Sequence, residues 1–151
     1  MTFVGIDPGV SGAMAVLWNG KEPDILPFDV VDYADMFDEM LLCSESSGRD
    51  IRCVVERVHA MPKQGVSSSF SFGQNFGTIL GMLAAYKIPY ELVLPQKWKR
   101  EFGVTADKNT SLSVARRLFP SASMRRTERC RKDDDGMAEA LLMAEYCRRH
   151  S

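Results

Sequence analysis

The chain has 151 residues, of which 45% are hydrophobic and 26% charged, the make-up of a single folded unit rather than of a disordered, collagenous or two-lobed protein. No apolar run approaches the roughly 20 residues of a membrane helix, and MTFVGIDPG lacks the basic start and long apolar stretch of a signal peptide, so a cytoplasmic protein is expected. The formal net charge of −1 hides a segregation: residues 1–60 carry 4 basic against 11 acidic side chains, residues 61–131 carry 12 against 4, and residues 132–151 carry 3 against 5.

TFVGID, the turn PGVSG and the apolar run AMAVLW predict a β-hairpin with Asp7 at the tip of its first strand. A third strand near Ile25–Val30 would complete a meander, and Asp32 or Asp35 would open a helix running to about Ser47. IRCVV at 51–55 has the look of a buried strand that delivers Glu56 at its end. Next, Phe72, Phe76, Ile79, Leu80 and Leu83 recur at helical spacing, with Gly73, Gly77 and Gly81 on one stripe and Ser67, Ser68 and Ser69 as caps. That stripe would pack closely against the sheet or a partner subunit.

YELVL at 90–94 reads as a further buried strand, PQKWKREFG as a short helix with proline at its start, and DKNTSLSVARRL as a helix capped by Asp107. SMRRTERCRK is a basic loop, mobile on DNA or merely solvated, and the final helix follows three aspartates. The four cysteines lie 10, 77 and 17 positions apart with no CxxC pair, and there are two histidines. They read as reduced packing residues, without a zinc site.

The chemistry lies in the carboxylates. Strands one and four of a βββαβ sheet would lie side by side, bringing Asp7 and Glu56 together, and two such acids repel unless a cation lies between them. Asp135 and Glu139, four apart, share a helical face; Asp134 would also point inward if the helix begins at Gly136. An all-carboxylate cluster suits Mg²⁺ and two-metal phosphodiester chemistry. The basic middle of the chain, interleaved with Phe70, Phe72, Phe76, Tyr86 and Trp98, suits a polyanion with bases to stack on.

Taken in order, GIDPGVSGAMAVL at 5–17, VVERVHAMPKQGVSSSFSFGQNFG at 54–77, LPQKWKREFGV at 94–104, DKNTSLSVARRLFP at 107–120 and KDDDGMAEALLMAEY at 132–146 resemble the RuvC-type Holliday-junction resolvases of the ribonuclease H superfamily, and among them the short phage and prophage versions. The resemblance implies an α/β fold, a ribonuclease H-like mixed five-stranded sheet (βββαβαβα) with helices on both faces in one domain, 1–151. It further implies a homodimer making paired, metal-dependent cuts in a four-way DNA junction. It carries the catalytic, metal-holding acids onto Asp7, Glu56, Asp135 and Glu139, the third ligand standing between Asp134 and Asp135 because Gly136 occupies the position three before Glu139. Two Mg²⁺ ions per site are implied, with Mn²⁺ as a substitute.

For DNA, the resemblance points to Lys97, Lys99 and Lys108, joined by Arg100, Arg116 and Arg117 as phosphate contacts; the loop after the catalytic acid offers His59, Lys63 and Gln64, and stacking falls to Phe70 or Trp98. The same fold could serve forks, flaps or RNA–DNA hybrids, or bind junctions without cutting. GIDPGVSG also resembles the phosphate-binding hairpin of sugar kinases and actin-like ATPases. Those clamp ATP between two lobes, for which the chain is too short, so no nucleotide cofactor and no membrane partner are expected.

Overall fold

The computed structural model describes residues 1–48, 50–58 and 65–151. The N-terminal apolar runs form an antiparallel meander of β1 (Thr2–Asp7), β2 (Ala13–Leu17) and β3 (Asp24–Pro27). The third strand ends at Pro27, short of the expected Val30. Asp29 then caps α1 (Val30–Ser47), its carboxylate accepting from the amides of Val31 and Asp32 at 2.8 and 3.1 Å. Asp32 and Asp35 lie inside the helix instead of opening it, because Asp29 has the extended backbone an N-cap needs. Gly48, at φ 62°, ends α1 in the left-handed conformation that glycine adopts without a Cβ clash.

The α1 crossover returns the chain parallel to β1 as β4 (Ile51–Glu56), and α2 (Val66–Ala85) returns it again as β5 (Tyr90–Val93). The strand order is β3-β2-β1-β4-β5, a mixed sheet with β1 and β4 at its centre. β5 pairs on one side only, and all its residues but Val93 are exposed, so the apolar look of YELVL marks an edge rather than a buried strand. After β5 come α3 (Pro95–Phe102), α4 (Lys108–Leu118), capped by Asp107 as expected, and α5 (Asp135–Arg149).

Helices cover both faces. One core joins alternate residues of β1, β2 and β4 (Ile6, Met14, Val55) to Tyr33, Phe37 and Met40 of α1 and Ile79 and Leu83 of α2. The other joins Ala13, Ala15 and Val54 to α5, with Trp98, Phe102 and Ala115 from α3 and α4. α5 lies so close to β1 that a Cβ on Gly5 would overlap the backbone at Ala140 and Ala144. The α2 stripe behaves differently. Gly73, Gly77 and Gly81 face open space, which removes packing on the sheet as their reason, and Ser67, Ser68 and Ser69 lie within the first turns of a helix that starts after Gly65 without a side-chain cap. None of the four cysteines is in a disulfide. Among the described residues no helix is long and apolar enough to cross a membrane.

Candidate active site

Ile6 pairs with Val55 across the central parallel ladder, and the next residue on each strand is an acid, Asp7 and Glu56. Neighbouring strands lie about 4.8 Å apart, so the sheet itself fixes these two side by side. Alternation along the strands turns both toward the α5 face, as it does Gly5 and Val54. Burial raises the pKa of Asp7 to about 6; the Gly9 amide, donating to Oδ1 at 2.9 Å, pulls the other way, and Glu139 and Asp135 add repulsion. Burial, followed by repulsion from Asp7, raises Glu56 to about 7. The Trp98 indole N–H donates to Glu56 Oε1 at 3.0 Å and offsets part of that rise. Two carboxylates with such poor hydration are strong attractors for positive charge.

The third contributor is the start of α5. Asp134 is its N-cap, with Oδ1 accepting from the Met137 amide at 3.1 Å, and Arg126 grips the same carboxylate through Nε at 2.6 Å and Nη2 at 3.1 Å. Asp133 pairs with Arg116 at 2.9 Å, with Arg125 at 4.0 Å. Asp135 and Glu139 share the next face of the helix. Asp135 Oδ2 holds the Lys108 ammonium at 2.8 Å, and Glu139 holds Lys99 through both oxygens at 3.1 and 3.2 Å. Among the described residues no three His, Cys, Asp or Glu are drawn into a ready metal cage; lysines occupy the two helix acids. The donor chemistry of these four acids nonetheless fits a hard divalent cation, being carboxylate oxygen throughout.

The other candidates separate. Lys99 and Lys108 are at the acids, whereas Arg116 is engaged with Asp133. Arg100 and Arg117 are exposed. Lys97 lines a different cavity, with Arg52, Glu91, Tyr146 and His150. Phe70 is 72% exposed near the start of α2 and is available for stacking, but Trp98 has no exposed surface, so base stacking by Trp98 does not fit the fold. His59, Lys63 and Gln64 lie outside the described residues.

Arg126 is the residue that sequence reasoning missed. Besides Asp134 it donates to the Ser11 carbonyl in the turn after β1, and Gly136 sits against that same carbonyl, where a Cβ would collide. Only its place in a run of arginines hinted at a role. The Tyr33 hydroxyl is buried with no hydrogen-bond partner among the described residues, and burial together with Asp7 holds its phenol well above its ordinary pKa.

No protein-family model matches the chain, and no curated protein matches it. Solved structures do. A Thermus thermophilus RuvC in complex with a Holliday junction substrate aligns with a TM-score of 0.56 over 95% of this chain and 90% of that one, at 16% identity. A second T. thermophilus RuvC structure gives the same TM-score and identity over 99% and 97%. The fold is that of RuvC. Within this RuvC fold the acidic ends of β1 and β4 and the start of α5 lie together at one end of the sheet.

Proposed function

We propose that the chain is a divalent-metal-dependent endonuclease that resolves four-way DNA junctions by paired cuts. The observation that carries this reading is the pair of buried strand acids, Asp7 and Glu56, repelling each other and repelled by Glu139 of α5, on a RuvC fold, with Asp135 adding to the repulsion on Asp7. Asp135 is the third ligand in this reading. Asp134 is committed to capping α5 and to Arg126.

Asp7, Glu56, Asp135 and Glu139 would hold Mg²⁺, two ions per site with Mn²⁺ as a substitute, which when bound supplies an activated water and charge neutralisation at the leaving oxygen. The chain's own residues do the rest. Asp7 and Glu56 would act as ligands in their carboxylate form, and the N–H groups of Gly9 and Trp98 keep one oxygen of each in place. Lys99 and Lys108, beside the acids, offset charge on the phosphodiester. Arg100 and Arg117, exposed on α3 and α4, contact flanking phosphates without reading sequence.

Two symmetric cuts call for two sites, and a homodimer supplies them. The unpartnered face of α2, with its glycine stripe, Phe70 and the 88% exposed Val66, supports that assembly; light scattering would read a particle twice the chain mass.

The test uses wild type and Glu56→Gln on a labelled four-way junction, beside duplex, fork and RNA–DNA hybrid, in Mg²⁺ or EDTA. Symmetric junction nicks that vanish with EDTA or the variant, while binding persists, are expected. Binding without a cut would leave a junction-binding module, and preferential cutting of another substrate would overturn the junction as substrate.

A further inference from the structure

The four acids are held in two different ways. Each helix acid is held by an ammonium, Asp135 by Lys108 and Glu139 by Lys99. Each strand acid has one oxygen held by an uncharged N–H, Asp7 Oδ1 by the Gly9 amide at 2.9 Å and Glu56 Oε1 by the Trp98 indole at 3.0 Å. The distinction matters for cation binding. An ammonium neutralises a carboxylate and competes with a metal, whereas an indole N–H fixes the orientation of the group and leaves its charge in place.

Trp98 is built into the fold for such a task. It is fully buried, and α3, which carries it, begins at Pro95 and ends at Gly103 with φ 66°. The next residue, Lys99, lies over the Trp98 ring at 5.1 Å and reaches Glu139. One turn of α3 therefore touches an acid of β4 and an acid of α5. Among the described residues, the Trp98 indole holds Glu56 Oε1, and Oε2 has no hydrogen-bond partner.

We propose that Trp98 is a positioning residue for the metal site: its indole N–H locks the Glu56 carboxylate by Oε1 and presents Oε2 to the divalent cation, setting the affinity of the site. This rests on the metal-dependent reading above. It also explains why the largest side chain in the α5-side core carries its one polar atom toward an acid, since a buried indole N–H needs an acceptor and this acceptor is a catalytic candidate.

The experiment measures metal binding without DNA. Mn²⁺ is titrated into wild type and Trp98→Phe, with free Mn²⁺ followed by electron paramagnetic resonance and folding followed by circular dichroism. Trp98→Phe keeps the apolar ring and removes the donor, and a 10–100-fold weaker affinity in a folded variant is expected. A second measurement needs no change at position 98: in ¹⁵N-tryptophan-labelled Trp18→Phe protein, the remaining indole N–H resonance is slow to exchange and shifts as Mg²⁺ is added. A folded Trp98→Phe with wild-type Mn²⁺ affinity, or an indole resonance that does not move at saturating Mg²⁺, overturns the role of Trp98. If wild type also cuts junctions in Mg²⁺, the metal-dependent reading survives that result. If wild type binds no Mn²⁺ at all, both fall together.

Discussion

The Arg126 guanidinium bridges the Asp134 carboxylate, at 2.6 and 3.1 Å, and the carbonyl of Ser11, so the turn after the first strand is tied to the first residue of the last helix cap. Ser11 and Asp134 are more than 100 residues apart in sequence, and each is close along the chain to one of the candidate acids, Asp7 and Asp135. Arg126→Ala should cost about 1–3 kcal/mol in a urea unfolding experiment, because a half-buried carboxylate is left without its cation. Arg126→Lys should recover less than half, since one ammonium cannot reproduce a forked contact. A variant as stable as wild type would show that the bridge holds nothing.

Asp134 and Asp135 should behave oppositely. Asn is a good N-cap, so Asp134→Asn should lower stability by less than about 1 kcal/mol and leave junction cutting within about threefold of wild type. Asp135→Asn should leave α5 formed yet reduce single-turnover cleavage on the order of 100-fold or more. The reverse ranking would move the third ligand to Asp134.

The pH dependence of the metal-free protein follows from the strand acids. Their native pKa values, about 6 for Asp7 and about 7 for Glu56, lie above the ordinary 3.8 and 4.5. The native state therefore binds protons more tightly than the unfolded chain. The resulting stability is fully present below about pH 4 and is lost as pH rises through about 7. In EDTA, wild type should lose on the order of 2 kcal/mol relative to Asp7→Asn/Glu56→Gln between pH 5 and pH 8. Parallel pH profiles for the two proteins would contradict it.

At Gly5 the helix leaves no room for a methyl group. Gly5→Ala should destabilise by about 3 kcal/mol or more, or prevent folding, because the obstacle is the backbone of Ala140 and Ala144 rather than a flexible side-chain end. Gly77→Ala serves as the comparison. Its Cβ meets nothing within the chain, so denaturation of the monomer at high dilution should show it neutral or slightly stabilised.

Much of this was legible beforehand. The runs ending in Asp7 and Glu56 gave the central strands because buried parallel strands are continuous apolar stretches, and Asp107 and Pro95 announced their helices by local chemistry. The start of α1 was misread because several aspartates stand within seven residues and only the backbone at Asp29 distinguishes the cap. YELVL misled because an edge strand and a central strand can share a composition. At the site, the acids showed in the pattern, but their partners did not: Trp98 to Glu56, Lys99 to Glu139 and Arg126 to Ser11 span 42, 40 and 115 positions, which no local rule connects.

The ladder pairing Ile6 with Val55 has one more consequence. It makes the separation of the two strand acids a repeat distance of the sheet, set by backbone hydrogen bonds that no surface change touches. The loops, the exposed arginines and the outer face of α2 all lie outside that ladder. If the proposed nuclease reading holds, substrate preference and assembly can therefore be re-engineered, or can drift, by altering those surfaces while the spacing of Asp7 and Glu56 stays constant.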